Sequence, residues 1–288
     1  MNNFNYIRND LEDTYGILKL QDKILEIMVY IDDFCREHEI TYYLMGGSAL
    51  GAMRHGGFIP WDDDLDIFMD HDNYKKFTEC CEKYLDKDRF YFQREDTKEL
   101  PYFFSKIRMN GTTCISDIDI RDKDSHYGIF VDIMCLNNAP KSNFGKKIQY
   151  YAAGMLKAKA CSKTNYTAVG GVKRIQLLIS KVLVVGWVKK ILLYIVRRHN
   201  RHDSDTVAHL FGRAKFCNSF YPKKLFKSQR FVPFEKHQLS VPVGVEEYLR
   251  LRYGDRYMDM PSDETKAVYQ SHANIWDVDN NYTNYLNM

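Results

Sequence analysis

The residues best equipped for chemistry lie in one stretch, GGSALGAMRHGGFIPWDDDLDIFM, at positions 46–69. Asp62, Asp64 and Asp66 alternate there with Asp63 and Leu65. Residues two apart in an extended chain point the same way, so Asp64 and Asp66 present two carboxylates to one side while Leu65 and Ile67 turn inward. Two such carboxylates repel each other unless a cation lies between them. Hard oxygen donors with room left for water and phosphate suit Mg2+ or Mn2+. A calcium loop starting at Asp62 would need Gly at position 67 and Glu at 73, where the chain has Ile67 and Asn73. An aspartate-phosphatase reading of Asp64-Leu65-Asp66 lacks a hydroxyl residue at Phe68 and an apolar strand ahead of it. A merely solvated acidic turn does not account for acids alternating beside Trp61 and Leu65.

Other groups add to this nucleus. Gly46-Gly47-Ser48 offers backbone N–H groups and a hydroxyl at a strand-to-helix junction, a setting suited to phosphate, 16 residues before Asp64. Arg54 and His55 supply a phosphate clamp, although an isolated histidine is more often a structural hydrogen-bonder. Lys106 and Arg108 are two apart on an expected strand and can face one anion, with solvated surface charge as the alternative. Asp132 sits inside GIFVDIM, where an acid is costly to bury unless paired or metal-bound, so it is the natural third carboxylate beside Asp64 and Asp66. Three carboxylates around a divalent ion suit phosphoryl transfer, in which the metal neutralises a diphosphate and orients an attacking hydroxyl.

The elements that must position these groups follow from periodicity. Apolar residues at helical spacing predict a helix over Ile17–His38. Thr41–Met45 reads as a strand running into the glycine turn, Ser48–Arg54 as a short helix, Leu65–Met69 as a strand and Asn73–Leu85 as a helix. Tyr102–Met109 and Thr112–Ser116 suggest a hairpin around Asn110-Gly111. Gly128–Met134 reads as an apolar strand, residues 142–202 as mostly helical, and Val243–Tyr253 as a final amphipathic helix stopped by Gly254. The expected architecture is α+β in an α/β-like order: a mixed sheet flanked by helices, with a basic helical insertion. Three regions are expected: a catalytic core over 1–140, the basic insertion over 141–220, and a C-terminal segment over 221–288 packing on the core.

The 288 residues, 45% hydrophobic and 27% charged, can bury a full core, which excludes intrinsic disorder and a disulfide-stapled miniature. Seven cysteines without a CxxC pair read as reduced thiols, and the polar start MNNFNYIRNDLED has no signal-like apolar run. A cytoplasmic location is expected. The net charge of +3 hides an asymmetry: 14 Lys and Arg and no acid fall between Lys141 and His202, which leaves 27 bases against 38 acids, a net of −11, elsewhere. Such a block implies an anionic partner. Within it, Ile175–Val196 is very apolar, but Lys181, Lys189 and Lys190 interrupt it, so it suits a helix lying on an anionic membrane surface or a buried helix rather than a bilayer span. Nucleic acid is not expected, since the block is rich in aliphatics rather than in arginine and stacking aromatics.

The segment at 46–69 resembles the signature of the LicD family, which includes fukutin and fukutin-related protein. The resemblance extends to LQDKILEIMVYIDDFCREHEI before it and to SKIRMNGTT, FVDIMCL and VPFEKHQLSVPVGVEEYLRLRYGDRYMDMP after it, about two thirds of the chain. It implies a DNA-polymerase-β-like nucleotidyltransferase fold. By resemblance Gly47 and Ser48 hold donor phosphate, Asp64 and Asp66 form the metal pair with Asp62 as an additional acid, and Asp132 is the third carboxylate. The implied activity is transfer of phosphocholine, or a related phospho-alcohol, from a CDP-linked donor to a hydroxyl of a glycan; a membrane-surface role for the basic block would suit a lipid-linked or teichoic-acid-like acceptor at the inner face of the membrane. The basic region 141–202 matches no family feature. A nucleotide-sugar glycosyltransferase, a CTP-dependent nucleotidyltransferase and a non-catalytic membrane- or polymer-binding protein are the competing readings.

Overall fold

A computed structural model describes residues 13–168, 170–268 and 273–286. All but the last residue of the polar N-terminal stretch lies outside the described residues. The first helix, α1 (Leu18–Glu37), buries Leu20, Ile24, Ile27, Met28, Ile31 and Phe34 along one face, as its 3.6-residue period dictates. Strand β1 (Tyr43–Leu44) leads directly into α2 (Gly46–His55), so the glycines form the first turn of this helix rather than a separate turn. Strand β2 (Asp66–Asp70) follows, then α3 (His71–Tyr84), whose N-terminus is capped by the Asp70 carboxylate accepting from Asn73 N at 2.8 Å.

Strands β3 (Phe90–Gln93), β4 (Ser105–Met109), β5 (Thr113–Ile115) and β6 (Phe130–Asn138) come next. The main sheet runs β1-β2-β6-β4-β3, with β2 and β6 parallel and the other neighbours antiparallel. Strand β6 is central and almost wholly buried, which is why its sequence is nearly continuous apolar. The hairpin expected around Asn110-Gly111 does not form. The chain does turn at Gly111, at φ +75°, but both edges of β4 are already taken by β3 and β6. Strand β5 therefore leaves the sheet and pairs with β11 (Ile275–Asp277) near the C-terminus.

Beyond β6 the chain forms α4 (Asn143–Cys161), α5 (Gly171–Leu183) and α6 (Gly186–Arg197), then returns through β7 (Thr206–Ala208) and β8 (Phe220–Pro222), which extend the sheet from β6. The long apolar run is thus two helices, broken at Val184-Val185. Ala152, Ala153, Leu156, Val184 and Val196 form a small second core with Phe103 and Phe211. A hairpin of β9 (Gln229–Phe234) and β10 (His237–Pro242) precedes α7 (Val245–Tyr253). Gly254 ends α7 at φ +95°, the stop expected of it. A short helix, α8 (Asp263–Val268), precedes β11.

Candidate active site

The acidic run is shaped by alternation. Trp61, Asp62, Asp64 and Asp66 are half-buried, whereas Asp63, Leu65 and Ile67 are buried. Asp62, Asp64 and Asp66 therefore share one half-buried side, and Asp63 turns inward to accept from Ala273 N at 3.1 Å. Gln21 on α1 supports the loop from below, its Nε2 donating to Ile59 O and Asp62 O. Strand β2 is tied to the glycine helix at its first residue: Asp66 N donates to Ser48 Oγ at 2.9 Å, and Met45 N donates to Asp66 O at 3.0 Å.

The N-terminus of α2 lies directly against the Asp62 carboxylate. A Cβ on Gly47 would meet Asp62 Oδ2 at 2.7 Å, so only glycine lets the acid come this close to the first turn. Gly46 adopts φ +52°, the left-handed region that favours glycine. Its N–H donates to Tyr248 Oη on α7 at 2.9 Å, and a Cβ there would sit 3.4 Å from Tyr253 Oη. Burial pushes the Tyr253 hydroxyl well above the ordinary phenol range; Arg252 opposes the shift, and the charges of Asp62 and Asp66 add to it. On the far side, the β9–β10 turn clamps the segment after α2: Glu235 N donates to Gly56 O, and its carboxylate accepts from Phe58 N.

A polar row crosses the sheet at the level of Asp66. Asp66 on β2 is in register with Asp132 on β6, Asp132 with Lys106 on β4, and Lys106 with Gln93 on β3. Side chains directly across strands share a face, so Asp66 and Asp132 come together as the sequence suggests. Asp132 is engaged from its other side, however: Lys106 Nζ donates to its Oδ1 at 2.6 Å, and both residues are buried. Burial pulls Lys106 down from the ordinary lysine range, opposed by the Asp132 charge. Its ammonium also lies 3.3 Å from the centre of the Phe130 ring. Arg108 shares that face and ring, donating to Gln93 Oε1 at 2.6 Å and to Gly128 O at 2.7 Å.

Arg54 and His55 are placed differently. The buried Arg54 guanidinium donates to Tyr257 O and Asp259 O, holding the loop after α7, and to His55 Nε2 at 3.0 Å. Burial lowers His55 to about 4, with Arg54 adding to the effect, so the ring is neutral and fit to accept that bond. Both side chains brace the back of α2. Among the described residues, no three His, Cys, Asp or Glu side chains converge into a ready-made metal cage. Sequence reasoning missed Gln21, Tyr248, Tyr253 and Glu235, which position the loop and α2 from far along the chain. Only the position of Tyr248 and Tyr253 within an amphipathic segment hinted at them.

Residues 39–148 match the model of the LicD/FKTN/FKRP nucleotidyltransferase domain, and the resemblance read from the motif is thereby borne out. Over 253 residues the chain is 26% identical to the lipopolysaccharide cholinephosphotransferase LicD of Haemophilus influenzae, covering 85% of this chain and 92% of that protein. It is 27% identical over 124 residues to an uncharacterized protein of Rickettsia prowazekii, 42% of this chain and 41% of the other. A 28-residue stretch, 10% of this chain and 6% of the other, is 61% identical to the human ribitol 5-phosphate transferase FKRP.

Proposed function

We propose that this chain transfers phosphocholine, or a related phospho-alcohol, from a CDP-linked donor to a hydroxyl of a cell-surface glycan. One observation carries the reading: the half-buried side shared by Asp62, Asp64 and Asp66 abuts the first turn of α2, with Asp132 level with Asp66 on the adjacent strand. The likeness to a cholinephosphotransferase over most of both chains supports it.

The donor set is all oxygen, partly open and short of a closed cage, which fits Mg2+ or Mn2+ completed by water and phosphate oxygens. Asp64 and Asp66 would hold the ion, with Asp62 beside them. When bound, it neutralises the donor diphosphate and acidifies the attacking hydroxyl. The first-turn N–H groups of Gly47 and Ser48 face a phosphate along the axis of α2, where the helix dipole favours negative charge. Asp132, steadied by Lys106, takes the proton of the acceptor hydroxyl. The acceptor oxygen bonds to the phosphorus bearing the alcohol, the bond from that phosphorus to the bridging oxygen breaks, and CMP leaves.

Asp66→Asn is expected to lower CMP release from CDP-choline by about a hundredfold or more, with the melting temperature nearly unchanged. A Mg2+-dependent thermal shift separates the donors: at 100 times its dissociation constant a ligand adds about 2.7 kcal/mol. A shift confined to CDP-alcohols is the expected result. A shift given by a UDP- or GDP-sugar and by no CDP-alcohol would overturn the reading.

A further inference from the structure

Helix α5 is built inside out. Its fully buried residue is Ser180, at 0% exposure, and Gln176 faces α4, donating to Gly154 O. Val172, Ile175, Leu178, Ile179, Val182 and Leu183 all point to solvent, Val172 at 83% exposure. On α6, Trp187, Ile191 and Tyr194 line one exposed strip, with Trp187 at 70%. A soluble helix normally buries its apolar arc and wets its polar one. An exposed apolar surface of this extent marks an interaction site.

We infer that the exposed face of α5 and α6 lies on an anionic lipid bilayer, with its apolar side chains at the acyl boundary and its bases among the headgroups. Charge complementarity selects this occupant. Lys173, Arg174, Lys181, Lys190, Arg198 and Arg201 are exposed around the apolar strip, and no acid occurs from Lys141 to His202. Basic side chains flanking a helical apolar stripe are the pattern of interfacial helices. A second copy of the chain docked here about a two-fold axis would bring the same bases against each other. A soluble polyanion would pair with the bases and leave Trp187 and Leu178 in water.

Among the described residues no helix is long and apolar enough to cross a membrane, which suits a helix pair lying flat. Asn165, in the connection between α4 and α5, donates from its backbone N to Ile118 O at 3.0 Å and from Nδ2 to Asp119 O at 2.7 Å. The connection that leads into α5 is thereby tied to the segment at Ile118 and Asp119.

The test uses the full chain, without nucleotide, in flotation with vesicles of pure phosphatidylcholine and of phosphatidylcholine mixed with phosphatidylglycerol. Binding is expected to the anionic vesicles alone, weakening with salt, and with a blue shift of tryptophan emission that Trp187→Phe removes. Leu178→Asp with Ile175→Asp, and separately Lys173→Glu with Lys181→Glu, are each expected to cut partitioning about tenfold or more. All four positions are exposed, so the variants should melt as the parent does, and their Mg2+-dependent thermal shift with CDP-choline should be retained. That last readout separates failure here from failure of the proposed activity. Three results would each overturn the inference: no binding to anionic vesicles at low salt, loss on charge reversal but not on the Asp substitutions, or a stable dimer that shields Trp187.

Discussion

At the scale of single residues, the pair Lys106–Asp132 changes what a mutation can mean. Asp132→Asn would leave Lys106 buried against Phe130 without its counter-charge, and Lys106→Met would do the same to Asp132. Each single change is expected to cost about 3–5 kcal/mol in urea unfolding, because a lone buried charge is worse than none. The double variant should cost far less than the sum. If the two losses simply add, the residues do not act as a unit. The folded double variant also isolates chemistry from stability, since transfer should remain lost when Asp132 is the proton acceptor. The sequence indicated that Asp132 had to be paired or metal-bound, because an acid flanked by Val131 and Ile133 is costly to bury alone. It did not indicate the partner, because strand register across β4 and β6 is a property of the folded sheet.

Among the elements, α2 depends on glycines for closeness rather than for flexibility alone. Gly47→Ala would place a methyl group 2.7 Å from Asp62 Oδ2 and force that carboxylate off the helix start. The expected result is a loss of transfer of about tenfold or more with a stability change of about 1 kcal/mol or less, read by CMP release and urea melts in parallel. Equal loss in Gly56→Ala, where no atom lies within 4 Å but φ is +69°, would show that strain rather than crowding is at work. The acidic strand, α1, α3 and α7 were legible because their periods and end signals are local. The false hairpin at Asn110-Gly111 shows the limit: a strong turn dipeptide sets the bend, but vacancy on the sheet edge decides which strand pairs. Strands β7 to β11 carried no such local signal and are fixed by long-range partners.

For the molecule as a whole, three histidines, His55 and His209 buried and His126 half-buried, make folding sensitive to acid. Burial lowers His209 to about 3, with Arg252 and Lys157 adding, and lowers His126 to about 3 and His55 to about 4. Each folded value lies below the free histidine value of 6.5, so the unfolded chain binds more protons between the two. Stability is then full above pH 6.5 and is lost as pH falls toward 4, by an amount on the order of a few kcal/mol. His209→Gln, whose side chain does not titrate there, should flatten the curve of melting temperature against pH over that window. An unchanged curve would mean that His209 does not carry the effect. The charge asymmetry was plain in the sequence. That Arg197 and Lys189 are spent inward on Glu95 and Asp96, leaving the remaining bases to frame an apolar face, was not.

The bond from Gly46 N to Tyr248 Oη joins residues 202 apart in sequence. As the chain is synthesised, the acidic motif and α2 leave the ribosome long before the helix that fixes them exists. Domains fold as units once their long-range partners are present, and closing so long a loop is slow and late. The bond that fixes the start of α2 therefore cannot form until the chain has been made as far as Tyr248. A nascent chain stalled before Tyr248 would carry every carboxylate of the motif and lack the hydroxyl that accepts from Gly46 N.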